Sequence, residues 1–135
     1  MLAFWRVAIK PGWPIAMGSI NGVPFMGLPG NPVASFVTLV YLARAAVLAL
    51  AGAVSEPFTP MPVRAAFAYR KKAGRREYAR AKIRRGADGA LEAVKFPREG
   101  AGLLSSLIET EGLVELPESA TLVEPGAFLP YLVLL

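Results

Sequence analysis

The sequence predicts an α/β segment followed by a small antiparallel β-barrel domain. Two short apolar strands around an Asn-Gly turn, and then one long apolar helix, indicate the first part. Several short strands separated by turn residues indicate the second part. Between them, Pro57, Pro60 and Pro62 prevent a helix and favour a stiff linker. We therefore expect an α/β part at residues 1–53, a linker at 54–62 and a β-barrel at 63–135.

The N-terminal strands are predicted from apolar runs that end at turn residues. Residues 3–9 (AFWRVAI) form one such run, which stops at Lys10-Pro11-Gly12. Asn21-Gly22 is a strong hairpin signal. Residues 14–19 and 23–28 are therefore expected to pair as two strands.

The stretch GLPGNP, residues 27–32, predicts a turn that leads into a helix. Asn31 suits the N-cap, because its side-chain oxygen can accept a hydrogen bond from a backbone N–H. Pro32 suits the first helical position, where its missing N–H costs nothing. The apolar residues 33–52 would form the helix, and Gly52 would end it.

A membrane span is the alternative interpretation of this apolar helix. Residues 33–52 are long enough to cross a bilayer. Arg44 lies inside the run, however, and a central arginine costs roughly 2.5–3.5 kcal/mol on insertion scales. No basic flank marks either end of the run. We therefore expect a helix buried against a sheet, and no membrane as a partner.

The strand predicted at residues 76–85 (REYARAKIRR) shows the clearest alternation in the second half. Ala79, Ala81 and Ile83 would face a core and alternate with polar residues on a basic outer face. Glu77, among these arginines, is expected to form an exposed ion pair of little energetic value. The other predicted elements are strands near 63–70, 89–96 and 112–116, a helical turn at 103–108 and a final strand after Pro125-Gly126.

Composition limits the chemistry that the chain can perform. It has no histidine and no cysteine, which excludes a Ser-His-Asp triad, histidine-bound zinc and disulfides. A metal would need oxygen ligands, yet Asp88 is the only aspartate, and the glutamates are scattered. The net charge of +5 favours anionic partners. The first residues lack the basic region of a signal peptide, so we expect a cytoplasmic protein.

The turn into the helix is the first candidate binding site. Backbone N–H groups at a helix N-terminus are unpaired and carry partial positive charge, so they can hold a phosphate or another oxyanion. Gly27 and Gly30 would let a ligand approach the backbone. Lys10 would join this site if its strand and the strand at 23–28 were neighbours in one sheet. The alternatives are a tight turn that packs a helix on a sheet and an ordinary solvated lysine.

A basic cluster within one predicted hairpin is the second candidate. Nucleic-acid binding is its generic interpretation, but few aromatic residues accompany it, so nucleic acid is not the expected partner. A solvated basic face is the alternative. The cluster comprises Arg70, Lys71, Lys72, Arg75, Arg76, Arg80, Lys82, Arg84 and Arg85.

Five segments carry a resemblance to a known family. In the first half they are VAIKPGWPIAMG and GLPGNPVASFVTLVYLARAAVLALAG, and in the second GRREYARAKI, GAGLLSSLIETEGLVELPE and VEPGAF. In order and spacing they resemble the molybdopterin molybdenumtransferase family, which includes MoeA and the gephyrin E domain, from about Phe4 to the C-terminus. The resemblance implies the C-terminal part of a molybdopterin-binding α/β domain, followed by a C-terminal β-barrel domain.

The resemblance also implies a reaction and its site. Family members insert molybdenum from molybdate into adenylylated molybdopterin, with magnesium, and release AMP. Molybdate is a tetrahedral oxyanion, and guanidinium and hydroxyl groups are suitable hydrogen-bond donors to it. Catalytic residues and magnesium ligands are not expected within this chain, and the full-length family implies a homodimer. The substrate- and anion-binding positions implied here are Lys10, Pro11, Gly12, Pro14, Gly27, Pro29, Gly30, Asn31, Pro32, Ser35, Arg75, Arg80, Ser105 and Ser106.

Two substitutions depart from the family pattern. Trp13 stands where the family usually has the second lysine of KPGKP, and this loss of charge is expected to weaken molybdate binding. Ala34 stands where the family has the serine of GNPVS, and Ser35, one place on, would point about 100° away. The family's aspartates for magnesium and its other domains are not in this sequence. A non-catalytic module that binds an anion or another partner is therefore the alternative hypothesis.

Overall fold

The computed structural model of the chain describes residues 1–12, 14–98 and 105–133. Trp13, the first residues of the helical turn predicted at 103–108 and the side chain of Ser106 lie outside this description. The N-terminal strands are β1 (Leu2–Phe4), β2 (Ile9–Lys10), β3 (Ala16–Ile20) and β4 (Val23–Gly27). A continuous helical segment follows, composed of α1 (Pro32–Thr38), a π-helical turn (Leu39–Ala43) and α2 (Arg44–Leu50). The later elements are β5 (Met61–Ala65), β6 (Tyr69–Arg70), β7 (Arg76–Arg85), β8 (Leu91–Lys95), α3 (Ser105–Ile108), β9 (Gly112–Leu116), β10 (Leu122–Val123) and β11 (Phe128–Val133).

Five of these strands close into a small barrel. The long strand β7 pairs with β8 through residues 81–85 and with β9 through residues 77–81. Strand β11 joins β9 to β5, and β5 pairs with β8 to complete the ring. The prediction of a wholly antiparallel barrel was wrong at this last pair, because β5 and β8 are parallel. Strands β6 and β7 lie between them in sequence and provide the crossover that a parallel pair requires.

Small side chains on β7 and β8 leave room in the barrel for larger residues from the other strands. Ala81 and Ala93 are fully buried, and the phenol of Tyr131 reaches across to donate a hydrogen bond to the carbonyl of Ala81 at 3.2 Å. Ala79 and Ile83 pack against the same core, as the alternation in β7 predicts. The barrel therefore has a filled interior, and any binding site must lie outside it.

The N-terminal part contains a three-stranded antiparallel sheet in the order β1-β3-β4. The predicted Asn-Gly hairpin is confirmed, with positive φ angles at Asn21 (50°) and Gly22 (78°). The strand predicted at residues 3–9 divides instead into β1 and β2, and β2 pairs in parallel with β7. Along β7, strand β8 pairs with residues 81–85. The same edge of β7 is therefore open at Arg76 and Glu77, where β2 pairs. Strand β2 is therefore not the neighbour of β4, so the condition under which Lys10 was expected to join the start of the helix is not met.

Local signals define the helical segment at both ends. The Asn31 side chain accepts hydrogen bonds from the backbone N–H groups of Val33 and Ala34, and Gly52 has a φ of 76° just beyond the last turn. Both predicted caps are confirmed. The π-helical turn in the middle was not predicted.

Only the first half of the helical segment is well covered by the rest of the chain. Val33 and Val37 in α1 form a buried cluster with Leu113 of β9, whereas α2 has no buried residue. The segment is apolar and long enough to cross a membrane by length and composition alone, a test that core helices also pass. Strands β1, β3 and β4 with this segment do not form a complete α/β domain. Residues 53–60 have no regular secondary structure, and the domain limits stay predictions.

Candidate anion-binding pocket

A pocket of about 360 Å³ lies where β2, the start of α1, β7 and the end of β8 meet. Strand β2 is placed there by its pairing with β7, which sets Lys10 opposite Glu77. The start of α1 is placed there by its packing on β9. Eight of the predicted site residues line this pocket together: Lys10, Pro11, Gly12, Pro14, Pro29, Asn31, Arg75 and Arg80.

Among the other predicted site residues whose side chains the structure describes, none lines the pocket. Pro32 begins α1, and Gly27 ends β4, opposite Ala16. Gly30 is exposed, and so is Ser105 in α3. Whether they or the eight lining residues bind a ligand stays a prediction.

Ala34 and Ser35, the positions of the second departure from the family pattern, have different surroundings. Ala34 lines the pocket and is almost completely buried. The hydroxyl of Ser35 instead donates a hydrogen bond to the carbonyl of Pro29. That hydroxyl therefore supports the turn before the helix and does not face a ligand in the pocket.

Glu77 is at the centre of the polar network of the pocket. Its Oε2 accepts a hydrogen bond from the Tyr69 hydroxyl at 2.9 Å, and its Oε1 accepts one from Arg75 Nε at 3.2 Å. Lys10 Nζ lies 3.5 Å from the same Oε2 and donates to the Tyr69 oxygen at 3.2 Å. Only 4% of the Glu77 side chain is exposed. A buried carboxylate of this kind requires such partners, because its desolvation is costly.

The protonation of Tyr69 sets the direction of these hydrogen bonds. Burial is the largest cause that raises the pKa of Tyr69, and Glu77 raises it further, whereas Lys10 opposes the shift. Tyr69 is therefore a neutral phenol at physiological pH. Its oxygen accepts a hydrogen bond from the Lys10 ammonium, and its hydroxyl donates a hydrogen bond to Glu77 Oε2.

The pocket combines excess positive charge with an apolar wall. Among the described residues that line it, five are cationic and one is anionic. Lys95 Nζ lies 5.1 Å from the centre of the Tyr69 ring, and Arg80 lies 5.8 Å from that of Phe96. Tyr78 forms part of the wall, backed by Tyr41 from the π-helical turn in a stacked contact of 4.8 Å. Such a site can hold an anion that also carries a flat, partly apolar group.

The predicted basic cluster does not form one continuous face. Lys71 is buried and donates hydrogen bonds to the carbonyls of Lys72, Pro117 and Ala120. Arg76 binds Glu118, and Arg84 binds Glu92, both at the surface. Of the predicted cluster, Arg75 and Arg80 line the pocket. The other members serve the fold or lie elsewhere on the surface.

Glu77 is the residue that sequence reasoning missed, because its ion pair was expected to be exposed. The strand itself contained the signal. Residues 77, 79, 81 and 83 share one face of a strand, and Ala79, Ala81 and Ile83 were already assigned to the core. A carboxylate in that row must be paired. Tyr69, Lys95 and Phe96 were missed as well. Lys95 and Phe96 lie beside β7 through its pairing with β8, and Tyr69 lies in the short strand β6.

The chain is similar to known proteins over the barrel and over most of its length. A family model described as the MoeA C-terminal region (domain IV) matches residues 62–134. A molybdopterin molybdenumtransferase of Haemophilus influenzae is 30% identical over 124 residues, which are 91% of this chain and 31% of that protein. Molybdopterin molybdenumtransferase 2 of Mycobacterium tuberculosis is 28% identical over 93% of this chain and 30% of its own length.

Solved structures extend the likeness to the N-terminal part. A molybdopterin biosynthesis MoeA protein from Pyrococcus horikoshii matches with a TM-score of 0.77 and 26% identity, over 98% of this chain and 32% of that protein. A molybdenum cofactor biosynthesis protein from Pyrococcus furiosus matches with a TM-score of 0.76 and 25% identity, over 98% and 45%. The chain thus spans about a third of the length of the curated relatives cited above.

Proposed function

Because this chain belongs to the family of the MoeA C-terminal region, we propose that it supplies one side of a pocket in molybdenum cofactor biosynthesis. In the proposed reaction, molybdate is inserted into adenylylated molybdopterin and AMP is released. Residues 1–53 would then be the C-terminal part of the molybdopterin-binding α/β domain. The relatives named above are molybdopterin molybdenumtransferases, and the activity of this chain is inferred from them.

The observation that carries the proposal is the charge of the pocket. Among the described residues, five cationic side chains and one carboxylate line a cavity of about 360 Å³ that also has an aromatic wall. Molybdate is a dianion, and molybdopterin carries a phosphate on a flat pterin. A lysine and two arginines, Lys10, Arg75 and Arg80, supply donors for the oxyanions. Tyr78 and Phe96 offer apolar surface to the ring system.

The contribution of this chain to the reaction is binding and orientation. Cationic donors in a partly buried pocket would hold molybdate next to the substrate and reduce the repulsion between the two anions. Glu77 already accepts hydrogen bonds from Tyr69 and Arg75, so it does not act as a general base in this arrangement. We assign no proton transfer to the described residues.

Magnesium does not fit the described pocket. Glu77 is the single carboxylate on its wall, and within the described ranges no group of three or more acidic residues is placed to hold a metal ion. The proposed role of this chain therefore does not include magnesium binding. Ligands for magnesium from the other domains of the family, a homodimer of the longer protein and a cytoplasmic location stay predictions.

The test of the proposed function is an assay with the remaining domains of the family supplied as a separate polypeptide. We expect molybdate-dependent release of AMP from adenylylated molybdopterin, and a loss of at least roughly tenfold in Lys10→Ala, because one charged donor is removed. Lys82→Ala is the matched control, since Lys82 is exposed and lies outside the pocket.

A different outcome would support the alternative function. If the reconstituted assay shows no release of AMP while the chain still binds molybdate, the chain is a non-catalytic anion-binding module. One observation favours this second candidate: Glu77, the single carboxylate among the described residues of the pocket wall, is already engaged by Tyr69 and Arg75.

A further inference from the structure

The proposed function leaves one buried group without a role. Glu77 introduces a negative charge into a pocket that would bind anions. In Coulomb terms alone, this charge should repel the ligand and weaken binding. A buried carboxylate in that place therefore needs another explanation.

The contacts of Glu77 show what it does for the cations around it. Its two oxygens bind different partners, Arg75 at 3.2 Å on one side and Tyr69 at 2.9 Å on the other. Both Glu77 and Tyr69 hold Lys10, because its Nζ lies 3.5 Å from Glu77 Oε2 and 3.2 Å from the Tyr69 oxygen. Two long and otherwise adaptable cationic side chains thus share one buried support.

The support is itself fixed by the fold. Lys10 and Glu77 are register partners in the parallel pair of β2 and β7. Tyr69 lies in β6, which pairs with β10, and its ring is also approached by Lys95 at 5.1 Å. The carboxylate is almost completely buried, whereas 41% of the Lys10 side chain and 33% of the Arg75 side chain are exposed. The carboxylate is thus the buried member of the group, and the two cationic side chains are the ones that solvent reaches.

We propose that Glu77 and Tyr69 are positioning residues, which fix Lys10 and Arg75 in the geometry that receives an oxyanion. This inference rests on the proposed anion-binding function and assigns a role that the function alone does not require. Held side chains lose less conformational entropy when a ligand binds, and the proposal requires that the affinity gained in this way exceed the affinity lost to repulsion by Glu77. The proposal therefore predicts a result with the opposite sign to that expected from charge alone.

The experiment measures inorganic molybdate binding to the whole chain by isothermal titration calorimetry. Glu77→Gln keeps the size of the side chain and removes its charge. We expect it to weaken molybdate binding roughly tenfold, because the charged hydrogen bonds that hold Lys10 and Arg75 are lost. Glu92→Gln is the matched control, since Glu92 binds Arg84 and Arg64 away from the pocket and should leave the affinity unchanged.

A double-mutant cycle separates positioning from a general structural effect. Lys10→Met alone should weaken binding, and the same change made in Glu77→Gln should add little, because the lysine is then no longer held. Tyr69→Phe removes only a hydroxyl and should weaken binding in the same direction by a smaller factor. If Glu77→Gln does not fold, the affinity of Tyr69→Phe for molybdate tests the positioning role in its place.

The outcomes distinguish this inference from the proposed function. If the wild-type chain does not bind molybdate, the proposed function fails. If the wild-type chain binds but Glu77→Gln, or Tyr69→Phe in its place, binds as tightly or more tightly, the function stands and the positioning role is refuted. Additive losses in the cycle would also refute it.

Discussion

Gly12 and Thr38 are in direct contact and join the loop after β2 to the helical segment. A methyl group at Gly12 would lie 2.3 Å from Cγ2 of Thr38. Thr38 is fully buried, and its hydroxyl donates to the carbonyls of Ala34 and Ser35, so its side chain has little freedom to move. This contact packs the loop after Lys10 against the end of α1, and both elements contribute residues to the pocket wall.

Replacing Gly12 by alanine is therefore expected to destabilise the protein by about 1–3 kcal/mol. The added methyl group overlaps Thr38, and the φ of 119° is unfavourable for any residue with a Cβ. Urea denaturation followed by circular dichroism measures the change. Gly30→Ala is the control, because a methyl group there meets nothing within 4 Å. Adding Thr38→Ser to Gly12→Ala should recover part of the loss; no recovery would show that the contact is not the cause.

Asn31→Ala is expected to lower the free energy of unfolding by about 1 kcal/mol, because it removes the N-cap of the helical segment. Asn31 Oδ1 accepts hydrogen bonds from the N–H groups of Val33 at 3.2 Å and Ala34 at 3.4 Å. Thermal and urea denaturation measure the effect. Asn31→Asp retains the acceptor and should stay close to the wild type. Equal losses in both variants would contradict the capping role.

The four tyrosines of the chain are expected to make it unstable at high pH. Burial is the leading cause that raises the pKa of Tyr41, Tyr69, Tyr78 and Tyr131, the last to about 12 from an ordinary value of 10.0. A raised pKa favours the protonated folded state, so this stability is present below pH 10 and is lost as the pH rises through the folded values.

Absorbance at 295 nm during an alkaline titration measures this effect. The folded chain should ionise above pH 10 and the urea-denatured chain near pH 10. For Tyr131 the difference corresponds to stability on the order of 2 kcal/mol, lost between about pH 10 and 12. Tyr131→Phe should therefore lose less stability over that interval than the wild type. Tyrosines that titrate normally in the folded chain would contradict the burial.

Lys71→Met is expected to destabilise the protein by about 1–3 kcal/mol, because three backbone carbonyls lose a charged donor. The Lys71 ammonium joins the loop after β6 to Pro117 and Ala120, which follow β9. Equilibrium denaturation measures the change. Its neighbour gives a matched control, since Lys72 is exposed and Lys72→Met should change stability by less than about 0.5 kcal/mol. Similar effects at both positions would count against this role for Lys71.

The elements that could be predicted from sequence are those that neighbouring residues determine. Asn31 and Gly52 define the ends of the helical segment, and the Asn21-Gly22 turn defines a hairpin. The strand at 76–85 follows from alternation within ten consecutive residues. In each case, the physical cause acts over a few positions along the chain, so the local pattern was sufficient.

The pairings that could not be predicted depend on contacts between distant residues. Strand β2 pairs with β7 because β8 leaves that edge open, and the parallel pair of β5 and β8 depends on closure of the whole barrel. The first of these pairings brings Lys10 to Glu77 in the pocket. No local pattern contains that information, whereas the burial of Glu77 could have been found from its place in the alternation.

Calorimetric titration of molybdate into the wild-type chain and Lys10→Ala tests most directly whether the pocket beside Lys10 binds an oxyanion. The pocket predicts saturable binding of one molybdate per chain, weakened at higher salt and reduced at least roughly tenfold by Lys10→Ala but not by Lys82→Ala. No binding to the wild-type chain, or equal affinity in all three proteins, would show that the pocket beside Lys10 is not an oxyanion site.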